Sequence, residues 1–110
     1  MSQHGIAAGR LRQSIEIQGF AEVADDFGAM TRTYSTRATV RAEAKQLSGT
    51  EEEAGGQYKG RAVYRFTIRA TTITTTDRIL YDSRIFEIFE IVDRMDRGRV
   101  LTVKAAELQA

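Results

Sequence analysis

Apolar and polar residues alternate along two long stretches of the chain, on either side of an acidic, glycine-containing segment. In the first stretch, residues 31–46, the apolar side holds Ala38, Val40, Ala42 and Ala44, and the polar side holds Arg37, Thr39, Arg41, Glu43 and Lys45. In the second stretch the apolar side holds Ala62, Tyr64, Phe66 and Ile68, and the polar side holds Arg61, Arg65, Thr67 and Arg69. A repeat of two residues predicts strands with one buried and one solvated face. We expect the two strands to pair as an extended hairpin, and the small alanines indicate a close neighbour on the buried side.

Shorter segments of the same kind precede and follow this hairpin. The predicted strands are Ser14–Gln18, Asp77–Tyr81, Arg84–Val92 and Val100–Ala105. In the third of these the alternation slips at Phe89-Glu90, which indicates a β-bulge or burial on both faces. Turn chemistry is expected at Asp25–Gly28, Asp82-Ser83 and Asp93–Gly98, and the threonine-rich run 70–76 predicts an extended connection.

About six closely spaced strands joined mainly by turns are typical of an antiparallel β-barrel or sandwich. The predicted fold class is therefore mainly β, with one long loop between the two long strands. The 110 residues contain no proline-marked linker, so we expect a single domain over residues 1–110. Residues 1–9 are small and polar and predict a flexible N-terminal arm.

The segment Leu47–Gly60 is too rich in glycine to be helical throughout, since an interior glycine costs about 1 kcal/mol relative to alanine. One short helical turn over Thr50–Ala54, capped by Ser48 or Thr50, is compatible with the sequence. Loops of this length in compact domains are commonly functional or disordered. We interpret this one as functional.

Catalytic chemistry is hard to assemble from these residues. The chain has no cysteine and one histidine, His4, within the expected N-terminal arm. Neither a nucleophile–histidine arrangement nor a glycine-rich phosphate motif is available. Asp25 and Asp26 lack the ligand spacing of a cation site, and the run Glu51–Glu53 is typical of a solvated face. The sequence therefore predicts a protein that is not an enzyme and that needs no metal or cofactor.

The arginines are the remaining candidate for function. Five decorate the polar faces of the long hairpin and three surround the last turn: Arg37, Arg41, Arg61, Arg65, Arg69, Arg94, Arg97 and Arg99. They are compatible with an ordinary mixed-charge surface, with a nucleic-acid surface, or with faces that meet acidic faces of neighbouring copies. A net charge of +1 and the absence of an exposed aromatic stripe disfavour the nucleic-acid surface. No apolar run reaches membrane-spanning length, and residues 1–9 lack the apolar region of a signal peptide.

Several short motifs occur in an order that resembles a known family. They are Gly9-Arg10-Leu11-Arg12 before Ile15 and Ile17, Asp26-Phe27-Gly28, Val40-Arg41-Ala42, Gly49-Thr50-Glu51 with Ala54, Ile68-Arg69, Ile73, Arg78-Ile79, Tyr81, Phe86-Glu87-Ile88, Leu101 and Val103. Together they resemble the phage head–tail joining proteins, the small head-closure or stopper proteins beneath the portal and adaptor. The resemblance runs from Gly9 to about Glu107. The chain departs from that family in having no tryptophan, with Tyr34 and Arg41 in regions where one is usual.

The resemblance implies a β-barrel subunit of a virion ring at the head–tail interface. Its partners would be copies of itself, portal or adaptor proteins, tail or tail-terminator proteins, and double-stranded DNA passing through the channel, with no membrane. Assembly would take place in the bacterial cytoplasm, for a tailed phage or a gene transfer agent. The acidic loop is then our candidate for the channel-facing loop: Ser48, Gly49, Thr50, Glu51, Glu52, Glu53, Gly55, Gly56 and Lys59. The eight arginines named above are our candidate subunit interface. The alternatives are a tail-terminator or adaptor subunit of the same neck, and a small nucleic-acid-binding barrel.

Overall fold

The regular structure of the described residues consists of strands. The computed structural model describes residues 11–47, 60–94 and 99–108. Within these ranges the strands are β1 (Gln13–Ala24), β2 (Met30–Gln46), β3 (Val63–Arg69), β4 (Arg78–Tyr81), β5 (Arg84–Arg94) and β6 (Val100–Glu107). The predicted N-terminal arm, the helical turn at Thr50–Ala54 and most of the turn at Asp93–Gly98 lie outside the described residues.

The six strands form a closed antiparallel barrel in the order β1-β2-β3-β6-β5-β4. Pairing of Glu16–Gln18 in β1 with Arg78–Leu80 in β4 closes the ring. The mainly-β barrel predicted from alternation is thereby confirmed. The predicted hairpin is also present, since β2 and β3 pair over Ala42–Gln46 and Tyr64–Ile68. Its paired part is short, however, because β3 has only seven residues, and most of β2 pairs on its other edge with β1.

The barrel interior is filled by aliphatic residues around a cluster of rings. Phe66 and Phe86 are fully buried and meet edge to face, with ring centroids 5.5 Å apart. Tyr64 and Tyr81 complete the cluster at the barrel wall. The expected close neighbour of the alanines is this cluster, because Ala44 lies opposite Phe66 in the register and leaves room for its ring.

Strand β5 carries the bulge that the sequence predicts. Its pairing with β6 shifts register between Ile88 and Glu90. Phe89 and Glu90 consequently both lie on the outer side of the barrel, where Phe89 packs against the buried pair Val63 and Ala106. Leu47 joins them, and we call these four residues, Leu47, Val63, Phe89 and Ala106, the outer cluster.

Burial on the outer side of β3 departs from the prediction. Thr67, expected on the wet face, is only 3% exposed, and Val63 is fully buried. Thr67 lies between Glu43 and Thr102 on the neighbouring strands, at the centre of the β2-β3-β6 surface. A short side chain in such a position is shielded by longer side chains around it, so alternation alone overestimates its exposure.

The first strand is much longer than the predicted Ser14–Gln18. Its second half, Gly19–Ala24, pairs with Met30–Ser35 and with no other described strand. These residues form a two-stranded ribbon, residues 19–35, that extends the molecule to 58 Å along its longest axis against 29 and 25 Å along the others. The predicted turn at its tip is confirmed. The Asp25 carboxylate accepts hydrogen bonds from the backbone N–H groups of Phe27 (2.8 Å) and Ala29 (2.9 Å).

The turn between β4 and β5 offers a direct test of local backbone strain. Asp82 and Ser83 form the predicted two-residue turn with φ angles of 54° and 61°. A non-glycine residue in this region costs roughly 1–2 kcal/mol. Replacing Ser83 by glycine should therefore raise the free energy of unfolding by about 0.5–1 kcal/mol, after allowing for the entropy of glycine in the unfolded chain. Thermal or urea unfolding of the isolated protein measures this, and Ser83→Ala, which keeps a Cβ, should bring no gain.

Candidate assembly surfaces

The ribbon is stiffened by two aromatic rings that lie between two guanidinium groups on one of its faces. The Arg32 guanidinium lies over the Phe20 ring at 4.2 Å, and Phe20 contacts Tyr34 with centroids 5.7 Å apart. Arg78 of β4 lies over Tyr34 at 3.6 Å. Isolated two-stranded ribbons are marginally stable in water. This stack of rings and guanidinium groups ties the base of the ribbon to the barrel.

The far end of the ribbon exposes apolar side chains. Phe27 is 96% exposed, and Val23 and Met30 are each more than half exposed. These three residues lie beside the carboxylates of Asp25 and Asp26. The tip is therefore both apolar and acidic, which is a combination that suits contact with another macromolecule better than contact with water alone.

On the barrel, basic residues occupy adjacent positions on three neighbouring strands. Lys45 of β2 lies directly opposite Arg65 of β3, which lies opposite Lys104 of β6. We call Lys45, Arg65 and Lys104 the basic row. Like charges directly opposite each other destabilise a sheet. The row ends at Glu90 of β5, whose carboxylate is 3.6 Å from the Lys104 ammonium group.

Two of the arginines predicted at a subunit interface bind within the subunit. Arg37 forms an ion pair with the buried Asp77 and donates to the Thr72 carbonyl oxygen at 2.9 Å. Arg61 donates to the Glu107 carbonyl oxygen at 2.6 Å and to the Glu87 carboxylate at 3.0 Å. Both arginines thus have partners within the subunit, and their place at a subunit interface stays a prediction.

Three other predicted interface residues have exposed side chains. Arg41 is exposed on β2, Arg69 is exposed at the end of β3, and Arg99 is exposed just before β6. Arg94 is the last residue of β5. Arg97 lies outside the described residues, and so do all nine residues of the candidate channel loop: Ser48, Gly49, Thr50, Glu51, Glu52, Glu53, Gly55, Gly56 and Lys59. The exposure of Arg41, Arg69 and Arg99 is compatible with a subunit interface.

Sequence reasoning missed the ionic cluster that fastens the end of β6. Arg84 donates two hydrogen bonds to the Glu107 carboxylate, at 2.8 and 2.9 Å, and a third to the Tyr64 hydroxyl at 3.0 Å. The hydrogen bonds from Arg84 hold the pKa of Glu107 below its ordinary value. The stability that this pair contributes is present above the ordinary carboxylate pKa and is lost as the pH falls through the lowered value.

Neither a metal site nor a membrane-spanning helix is found in the part of the chain that is described. Its His, Asp and Glu residues form no group of three or more that could hold a metal ion. No helix within the described ranges could cross a membrane. The candidate assembly surfaces among the described residues are the ribbon tip, the basic row and the half-buried members of the outer cluster, Leu47 and Phe89.

Known proteins resemble this chain in sequence and in fold. A family model described as phage head completion protein matches residues 6–108. The solution structure of a protein from Shigella flexneri 2a is similar, with a TM-score of 0.71 and 26% identity, over 93% of this chain and 96% of that one. A chain in the virion of a native gene transfer agent particle has a TM-score of 0.71 and 21% identity, over 92% and 98% of the two chains. Comparison with curated protein sequences gives no match.

Proposed function

Because the chain belongs to the phage head completion protein family, we propose that it forms a ring beneath the portal or adaptor, through which DNA passes and to which the tail attaches. The family places it among structural proteins of the virion that assemble with other head and tail proteins. The match over residues 6–108 is the observation that carries this proposal. The particle is a tailed phage or a gene transfer agent, and the protein acts there without catalysing a reaction.

The closed barrel supports assembly through outer surfaces. A closed sheet offers no free strand edge within the barrel for pairing with another chain. Contacts between copies that involve the barrel then use side chains on its outside, and arginine is well suited to ion pairs at interfaces. We assign Arg41, Arg65, Arg69 and Arg99 to these contacts, together with Arg94 and Arg97. Arg37 and Arg61 would act indirectly, by holding the β2 and β3 surface in shape.

The channel is assigned to the acidic loop between β2 and β3. Its three glutamates, Glu51–Glu53, would repel the phosphate backbone and let DNA pass without adhering. A ring repeats this charge once in each copy. The glycines of the segment permit backbone conformations that other residues avoid, so that the loop could change between open and closed positions.

The proposal is tested by electron microscopy of particles from a producer strain that lacks the gene. The expected result is a mixture of unjoined tails and tailless heads that are empty or leak DNA, with tailed particles restored by the gene supplied on a plasmid. Normal tailed particles in the deletion strain would overturn the proposal. Replacing Glu51–Glu53 by glutamine in the plasmid copy then tests the channel assignment, because it should alter DNA retention or ejection while joining persists.

A nucleic-acid-binding barrel remains the second candidate, because the basic row could contact phosphate groups. The two candidates differ in how the isolated chain behaves. A nucleic-acid module binds duplex or single-stranded DNA by itself, with an affinity that falls steeply as salt rises. A ring subunit binds DNA poorly when isolated. A tail terminator or adaptor would instead be distinguished by the stage at which assembly stops in the deletion strain.

A further inference from the structure

The ribbon tip and the outside of the barrel are chemically complementary. At the tip, Asp26 carries a negative charge next to Phe27, which is almost fully exposed. On the barrel, the basic row lies beside the outer cluster. Lys45 comes two residues before Leu47 in the sequence, and Arg65 comes two residues after Val63. Of the outer cluster, Val63 and Ala106 are buried and Leu47 and Phe89 are half-buried, so the apolar area beside the row comes from the latter two. A surface that joins positive charge to such apolar side chains is matched by a projection that joins negative charge to an aromatic ring.

The basic row is only partly neutralised within the described residues. Lys104 contacts Glu90, but neither Lys45 nor Arg65 forms an ion pair there. Since cationic residues directly opposite one another repel, the row favours an acidic partner from elsewhere. The tip likewise has Asp26 without an ion pair among the described residues.

The tip of a given copy does not reach the basic row of that same copy. Met30 lies at the end of the ribbon, and Lys45 lies 15 residues further along the same continuous strand, β2. At about 3.3 Å per residue this separates them by about 50 Å, in keeping with a longest axis of 58 Å. The ribbon's six residue pairs span about 20 Å, which is comparable with the 25–29 Å width of the molecule. The ribbon is therefore long enough to lie across an adjacent copy.

We propose that the ribbon tip of each copy, residues 25–28, docks on the basic row of the next copy, with Asp26 facing Lys45 and Arg65 and with Phe27 against Leu47 and Phe89. The contact is head to tail, which is the kind of contact that forms a ring when the rotation between successive copies closes. This inference rests on the proposed function. It names the ribbon tip as the acidic surface that the basic row meets.

Site-directed cross-linking tests the contact, because the chain has no cysteine of its own. In particles that carry Asp26→Cys together with Lys45→Cys, a short bismaleimide should join copies into dimers and higher multimers on a denaturing gel. Either cysteine alone should give no such ladder. The pair Thr71→Cys and Lys45→Cys, which joins an exposed residue away from the tip to the same row, is the matched control and should also give none.

A reversal of charge supplies a second test of the same contact. Asp26→Lys alone and Lys45→Asp alone should each lower the yield of tailed particles at least tenfold, while the double variant recovers to within about threefold of the unaltered protein. Thermal unfolding of each purified variant, expected to be unchanged, shows that the losses do not come from misfolding.

The outcomes separate this inference from the proposed function. Particles that contain normal amounts of both cysteines but give no ladder, or charge variants that assemble as well as the unaltered protein, would overturn the docking contact alone. Cross-linking of the tip to a different virion protein would also overturn it. Failure of the proposed function appears elsewhere, as normal tailed particles when the gene is absent.

Discussion

Replacing Phe66 by alanine should lower the free energy of unfolding by about 3–5 kcal/mol. Phe66 is fully buried and contacts the rings of Tyr64, Tyr81 and Phe86, with centroids 5.5–5.9 Å away. Alanine would leave a cavity at the centre of this cluster. Since small domains are stable by only about 5–15 kcal/mol, this loss removes a large share of the stability and should clearly lower the midpoint of urea unfolding. Urea unfolding followed by circular dichroism measures the change.

The same substitution at the ribbon tip provides the matched control. Phe27 is 96% exposed, so Phe27→Ala should change the free energy of unfolding by no more than about 0.5 kcal/mol. Phe66→Leu, which keeps most of the apolar volume, should cost about 1.5 kcal/mol or less. Equal destabilisation by Phe66→Ala and Phe27→Ala would contradict the assignment of Phe66 to the barrel core.

Alternation along the sequence predicts the barrel because each barrel strand separates an apolar interior from water. That separation gives β2, β3 and β6 their period of two, and it locates the bulge of β5, where the period fails at Phe89. The strand pairing around the ring does not follow from this pattern. Strand β2 contacts both β1 and β3, and only the register shows that β1 takes the larger share.

Alternation does not predict the ribbon, because the ribbon does not separate an apolar interior from water. Both of its faces are largely exposed, so burial imposes no alternation on Gly19–Ala24, and Gly19 looked like the end of a strand. A weaker signal was present. Phe20 and Tyr34 lie seven residues before and after Phe27, and residues placed symmetrically about a turn face each other across a hairpin.

Alternation along a strand does not determine which partners its arginines bind. Alternation places Arg37 on the outer side of β2, but the register between β1 and β2 shifts at Ile17/Gln18, and Arg37 is the residue left unpaired. A bulge of this kind re-aims a side chain. The guanidinium consequently lies beside Gly19 and reaches Asp77, 40 residues further along the chain. Neither the bulge nor its distant partner has a local signal in the sequence.

Removal of the Asp77 carboxylate should accordingly be among the most destabilising polar changes in the chain. Asp77 is 7% exposed, pairs with Arg37 and accepts the backbone N–H of Thr74 at 2.9 Å. Hydrogen bonds to charged groups contribute about 1.5–3 kcal/mol each. We therefore expect Asp77→Ala to lower the free energy of unfolding by about 2–4 kcal/mol, whereas the exposed Asp26→Ala should leave it nearly unchanged.

A double-mutant cycle with Arg37→Ala separates the two roles open to Arg37. If Arg37 acts mainly through Asp77, the cycle gives a coupling of about 1–3 kcal/mol, and Arg37→Ala adds little once Asp77 is gone. Asp77→Asn, which keeps an oxygen for the Thr74 N–H, should recover only part of the loss. If Arg37 instead acts at the contact between copies, unfolding of the isolated chain would show no coupling, and Arg37→Ala would impair particle assembly without lowering stability. These results decide whether this arginine shapes the barrel from within or contributes directly to the ring.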